Sequence, residues 1–210
     1  MLIESKLDDK KIVIELFKNN RYGIMLSGGL DSAILLSLIL IESQKSKSAI
    51  NLQPFSMIKN DHSYKYVNNI IDRINDQFKS TIAQTILIGD PSINHKEQSL
   101  YATKQVFREH RYIDFLFNAV NQNPPAPWGE PHYLFPDRVK ESPHPKIIMP
   151  FVHLTKKHIV DIMFQYNLEF LCDITHSCTE YKIGRCNLCF QCNERKWAFE
   201  ELEKVDSGTL

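Results

Sequence analysis

The sequence predicts an α/β fold built on a doubly wound, mainly parallel sheet, with a cysteine-rich segment closing the chain. Three observations carry this expectation. Short apolar stretches alternate with longer helical patterns, which implies parallel pairing. A small, polar, glycine-containing turn, "SGGLDS", joins the first strand to the helix after it. Four of the five cysteines crowd into residues 178–192. The 210 residues suffice for one sizeable core and a small appendage. We expect residues 1–170 to form the α/β unit and 171–210 the segment packed on it.

Residues 5–20 place Ile12, Leu16 and Phe17 near helical spacing and predict an amphipathic helix. "RYGIMLS" then reads as a short buried strand, and "DSAILLSLILIESQK" as a largely buried helix. "AINLQPFSMI" is a second strand in which Pro54 suggests an edge or an irregularity. Tyr66, Ile70, Ile74 and Phe78 recur at four-residue steps and predict a helix. A third strand over "STIAQTILIGD", a helix over 95–110 and a fourth strand over "RYIDFLFNAV" follow. Residues 121–150 hold eight of the ten prolines and read as one long loop. "TKKHIVDIMFQYNLEF" restores a helix before the cysteines.

Lysine plus arginine (25) balances aspartate plus glutamate (25), so no basic footprint points to a nucleic-acid partner. The longest apolar run, "AILLSLILI", is about half the roughly 18 residues needed to cross a bilayer. The start "MLIESKLDDKK" lacks the apolar region of a signal peptide, and a cytoplasmic setting without membrane attachment is expected.

The turn after the first strand opens a helix whose free N–H groups and dipole favour an anion. Gly28 and Gly29 let the backbone approach phosphate oxygens. Ser27 and Ser32 offer hydroxyls, and Asp31 can hold Mg²⁺ or cap the helix. A plain tight turn with a helix cap uses the same residue types. The fixed order of five specified residues, placed at the strand-to-helix junction, favours phosphate. The segment resembles the PP-loop of the N-type ATP pyrophosphatases, in which Ser-Gly-Gly-x-Asp-Ser grips the pyrophosphate of ATP. The resemblance implies ATP as cofactor with Ser27, Gly28, Gly29, Leu30, Asp31 and Ser32 around it, and a Rossmann-like fold of the adenine nucleotide alpha hydrolase type. No GxxxxGK[ST] motif is present.

"CTEYKIGRCNLCFQC" spaces Cys178, Cys186, Cys189 and Cys192 as C-x7-C-x2-C-x2-C. Four soft thiolates suit tetrahedral Zn²⁺, and a 4Fe-4S cluster is the rival at these spacings. Cys172 stands apart in an apolar stretch and reads as a buried small residue. From Pro150 through Thr155, Lys156, Thr175, Ser177 and the cysteines to Arg195, Ala198 and Phe199, the chain resembles the 7-cyano-7-deazaguanine synthases. Together with the loop, the likeness covers about the first and last 60 residues.

The middle departs from that pattern. Some twenty residues precede the first strand, and of the turn after strand two only His62 matches. Lys104, Arg108 and Arg111 are candidates for a missing cation, and Asn118, Asn121 and Asn123 for contacts to substrate, unless they merely form turns. Trp128 is a candidate to stack on a heterocycle.

The resemblance implies ATP-dependent joining of ammonia to a carboxylate of a deazapurine-like small molecule, releasing AMP and pyrophosphate. Ser27, Asp31, Ser32 and Lys156 would carry the chemistry, with Mg²⁺ on Asp31 and structural Zn²⁺ on the cysteines. Phe55 and Met57, at the end of strand two, would flank the adenine. A tRNA thiolase or amidotransferase that adenylates another acceptor, and a non-catalytic interaction module, are the alternatives. Self-association into a homodimer is left open.

Overall fold

A computed structural model describes residues 1–47, 49–59, 61–93, 95–125, 128 and 138–208. The chain opens on an antiparallel pair, β1 (Leu2–Glu4) and β2 (Lys11–Val13), with Ile3 opposite Ile12. This corrects the expected helix over 5–20. Ile12 and Ile14 are buried while Lys11 and Val13 are exposed, a period of two. Ile12 and Leu16 satisfy a helical step and a strand step alike. The covering of the sheet by this hairpin decides between them, because it buries Ile3, Ile12 and Ile14 in the main core and leaves Phe17 exposed.

The αβ part follows in order: β3 (Arg21–Met25), α1 (Leu30–Lys45), β4 (Asn51–Met57), a 3₁₀ turn (Ser63–Tyr66) and α2 (Val67–Phe78). β5 (Ile86–Ile88), α3 (His95–Glu109), β6 (Phe115–Phe117) and β7 (Ile147–Ile148) come next. The chain closes with α4 (Lys156–Gln165), α5 (Leu171–Ile174) and α6 (Phe190–Glu200). Five strands form one wholly parallel sheet in the order β5-β4-β3-β6-β7. The fold class is therefore the expected one.

α1 is apolar around most of its circumference because it is enclosed. Ile34, Leu35, Leu36, Leu38 and Ile39 have no exposed surface, and the helix touches α2, α4 and α5. Strand alternation sends Tyr22, Ile24 and Phe117 into this main core, and Phe55, Ile88 and Leu116 to the opposite face under α3. Pro54 does not mark an edge, since β4 lies between β3 and β5. Pairing with β5 begins only at Phe55, so no ladder bond is lost at the proline. The Gln53 side-chain amide instead donates to Pro54 O and Gln84 O at 3.0 and 3.2 Å.

The proline-rich stretch is not wholly loop. β7 lies within it, adding a fifth strand beside β6, and Gln122 bridges to Thr155. Its middle, 129–137, lies outside the described residues. No helix among the described residues is long and apolar enough to cross a membrane. Strand order reverses where β3 meets β6, the point at which open α/β sheets leave a crevice beyond the strand ends.

Candidate functional site

A cleft of about 300 Å³ occupies that crevice. Its floor is the turn from β3 to α1. Gly28 has φ +80°, and a Cβ there would lie 2.1 Å from the Ser63 carbonyl oxygen, so both handedness and space demand glycine. The Gly28 carbonyl accepts the His176 N–H at 2.9 Å. Ser32 Oγ donates to Gly29 O at 3.1 Å and accepts the Ser27 N–H at 3.2 Å, and the Ser27 and Ser32 hydroxyls lie 3.2 Å apart. Gly29 is the N-cap of α1 and carries no capping side chain. The first N–H groups of the helix thus face the cleft without a competing cap.

Above the turn runs a chain of alternating charge. Lys156 Nζ lies 2.6 Å from Asp31 Oδ2 and 3.3 Å from Glu194 Oε2. Arg138 Nη1 lies 2.6 Å from Glu194 Oε1, and its Nη2 donates to Glu194 Oε2 at 3.2 Å. The same guanidinium donates to Asn121 Oδ1 and to Gln122 O, and sits 4.9 Å from the Phe190 ring. The side chains of Glu194 and Lys156 are 0% and 6% exposed, so removing either partner would leave the other buried without its counter-charge.

α4 delivers Lys156 through its own N-terminus. Thr155 caps the helix in a box with His158, whose Nδ1 accepts the Thr155 N–H at 3.2 Å. That assigns the proton to Nε2, which lies 2.9 Å from Asp8 Oδ2 in the N-terminal hairpin. The hairpin therefore braces the helix that carries the lysine.

The fold brings Ser27, Gly29, Leu30, Asp31, Ser32, Met57, Asn118, Asn121 and Lys156 to the cleft wall. Gly28 supports the wall through its backbone. Phe55 does not reach it, being fully buried under α3 with its ring 4.9 Å from that of His110. Asn123 lies beyond the lining, and Asn121 already serves Arg138. Lys104, Arg108 and Arg111 do not line the cleft, whereas Lys59, Arg138 and Lys156 do. Trp128 is partly exposed and also lies off the wall. His176, which its place two residues before Cys178 offers as a spare metal ligand, lines the cleft instead. Arg138 and Glu194 went unread in the sequence. Only Glu194, in the polar run after the cysteines, had any local signal, and nothing linked it to a lysine 38 residues earlier.

Asp31 is the residue best placed for a cation. Its Oδ1 is buried and has no hydrogen-bond partner, while Oδ2 holds Lys156. A buried carboxylate oxygen without a partner, on a residue that lines the cleft at the head of α1, fits Mg²⁺ accompanying a phosphate.

The four clustered cysteines form a metal-binding site. Their sulfurs all lie within 4.8 Å of one another. Backbone N–H groups of Leu188 and Cys189 donate to Cys186 Sγ at 3.4 and 3.1 Å, and Tyr181 N donates to Cys178 Sγ at 3.2 Å. Such N–H···S bonds stabilise thiolates. Burial opposes ionisation of Cys189, yet hydrogen bonds from Thr179 and Cys192 hold its thiol down at about 7. Burial pushes the Cys172 thiol up to about 11, and Cys172 packs in the main core against Met163. α5, α6 and the first core thus share one interior with Cys172, Trp197 and Phe199.

Residues 134–203, a third of the chain, match the family model described as Queuosine biosynthesis protein QueC. The C-terminal resemblance read in the sequence is borne out there. No curated protein matches the chain. Among solved structures, it is similar to the U34-tRNA thiolase NcsA from Methanococcus maripaludis, determined with its 4Fe-4S cluster. The two are 16% identical with a TM-score of 0.48, over 92% of this chain and 70% of the other.

Proposed function

We propose that the protein is a PP-loop enzyme that uses ATP, with release of AMP and pyrophosphate, to activate a carboxylate for attack by ammonia. The substrate class is 7-carboxy-7-deazaguanine or a related deazapurine. The observation that carries the reading is the pairing of an uncapped, glycine-bearing helix N-terminus with Lys156 and Asp31 across the cleft. The match to a queuosine-biosynthesis family over 134–203 supports the substrate class.

The β- and γ-phosphates, which leave as pyrophosphate, would lie over the turn, against the first N–H groups of α1 and the Ser27 and Ser32 hydroxyls. A carboxylate oxygen of the substrate attacks the α-phosphorus as the bond to pyrophosphate breaks. Lys156 and the helix N–H groups stabilise the charge that builds on the leaving pyrophosphate. Ammonia then attacks the acyl carbon, AMP departs and an amide remains. A second ATP activates the amide oxygen, and loss of AMP with two protons leaves the nitrile. Mg²⁺ on Asp31, when bound, neutralises phosphate charge. Met57 is one apolar side chain of the cleft lining that could meet adenine.

Zn²⁺ is the metal we assign to the cysteines. Zinc–thiolate bonds of about 2.3 Å set sulfurs about 3.8 Å apart at the corners of a tetrahedron, inside the 4.8 Å within which all four sulfurs lie. A cubane must separate its four thiolates by the body of the cluster. Cys172, buried and protonated, is poorly suited to carry sulfur, which supports ammonia rather than sulfur transfer.

Purified protein given ATP, ammonium and 7-carboxy-7-deazaguanine should release AMP and yield a nitrile detectable by mass spectrometry. Failure of that substrate to stimulate AMP release would remove the substrate assignment, and ADP in place of AMP would remove the pyrophosphatase reading.

A further inference from the structure

Two routes of direct contact join the cysteine cluster to the phosphate loop. On the first, His176 lies two residues before Cys178 and donates its backbone N–H to Gly28 O. Its ring stacks on Tyr66, with centroids 4.6 Å apart and planes within 4°. His176 Nε2 then meets Tyr181 O at 2.8 Å, and the Tyr66 hydroxyl donates to Lys182 O at 2.6 Å. Both carbonyls belong to the turn between Cys178 and Cys186. Tyr66 also ends the 3₁₀ turn whose Ser63 carbonyl crowds Gly28. On the second route, Cys189 is the N-cap of α6, Cys192 lies in its first turn, and Glu194 follows to hold Lys156 and Arg138.

The segment between α5 and α6 buries Thr175, His176 and Cys178 and pairs Arg185 with Asp206 at 2.6 Å, but no side chain from 179 to 189 is fully buried. It contains no helix or strand, and Tyr181, Ile183 and Leu188 are 54%, 78% and 82% exposed. Coordination of one metal by four thiolates supplies the order that a core does not.

We propose that metal binding at the cysteines and nucleotide binding at the phosphate loop are thermodynamically linked, with His176, Tyr66 and Glu194 as positioning residues. The proposal rests on the ATP reading above. When the cysteine segment loosens, the Tyr181 and Lys182 carbonyls withdraw from the stacked rings, and the start of α6 frays beneath Glu194. The Gly28 turn and Lys156 then each lose a support. Linkage is reciprocal, so bound nucleotide must also retain the metal.

The test uses the metal-loaded protein. Metal transfer to a chelating dye is timed with and without a non-hydrolysable ATP analogue, under excess Mg²⁺, and calorimetry measures the binding of the analogue. Nucleotide should slow metal release about tenfold, a typical size for coupling between sites. Tyr66→Leu and Glu194→Gln should each keep one metal per chain yet bring the two release rates close together. Analogue binding without slower release overturns the linkage alone. Absence of analogue binding overturns the ATP reading and the linkage with it. Should Glu194→Gln fail to fold, Tyr66→Leu decides, and a wild-type response from it overturns the proposed route.

Discussion

Lys156 and Asp31 meet at 2.6 Å although 125 residues separate them, and Glu194 holds the same ammonium from its other side. A single cation thus joins α1, which follows the Ser-Gly-Gly turn, to α6, which carries Cys192.

Lys156→Met removes that cation and leaves two carboxylates facing each other in a poorly hydrated site. Breaking a buried pair this way costs about 3–5 kcal/mol. Urea denaturation should show that loss, and AMP formation should fall at least about a hundredfold, the scale of a lost transition-state donor. Glu194→Gln in the same chain should restore part of the stability and none of the activity.

Gly28→Ala should abolish nucleotide binding and lower the melting temperature, because the added methyl meets the Ser63 carbonyl at positive φ. Gly29→Ala is the internal comparison. Its φ is −90°, and its nearest neighbour is the Ser27 hydroxyl at 3.3 Å. Its stability should change by less than about 1 kcal/mol, within the range of a mild cap change.

Arg195 is fully buried and binds Asp206 through Nε and Nη2 at 2.7 and 2.8 Å, with further bonds to Thr175 Oγ1 and Cys172 O. Truncation before Asp206 strands this charge in the core. The expected loss is about 3–5 kcal/mol, read by denaturation. A chain ending after Asp206 should keep most of its stability.

Cys172 makes a pH-dependent contribution of definite sign. Burial pushes its pKa in the fold up to about 11, above the ordinary thiol range, so the neutral thiol favours the fold. That stability is complete below pH 9 and is lost as pH rises towards 11. Cys172→Ala should flatten the alkaline limb of a stability–pH curve. In the native protein Cys172 should also resist alkylation at pH 8, after chelation has exposed the clustered thiols.

The four cysteines should lose metal together. Cys189→Ser should abolish stoichiometric zinc, and elemental analysis with absorption in the iron–sulfur region separates zinc from a cluster. Circular dichroism should show loss around the start of α6 while the sheet remains, since Trp197 and Phe199 stay anchored in the main core.

Much of this protein was legible in one dimension, where the signal is local. The apolar run of α1, the four-residue steps of α2 and the Ser-Gly-Gly-x-Asp-Ser turn each declare themselves within about fifteen residues. The cysteine spacing does the same, because a metal site with two C-x2-C steps is built from neighbours. Other features depended on what packs against them. Whether Ile12 and Leu16 sit in a helix or a strand depends on the sheet that the hairpin covers. Pro54 can lie inside the sheet because β5 starts one residue later. β7 is two residues long, and only its pairing with β6 defines it. Phe55 stands near the end of β4, where an adenine contact was expected, yet the pleat turns it to the face under α3.

Sequence alone therefore determined the parallel α/β class, the glycine-bearing strand-to-helix turn and the four-sulfur cluster, since each arises from bonds and spacings among near neighbours. Tertiary structure decided how these parts act on one another. The Asp31–Lys156–Glu194–Arg138 chain and the His176–Tyr66 stack join segments more than a hundred residues apart in sequence. Their contacts exist only because burial makes an unpaired charge or carbonyl costly, and the folded chain meets that cost with partners that no local pattern could foretell.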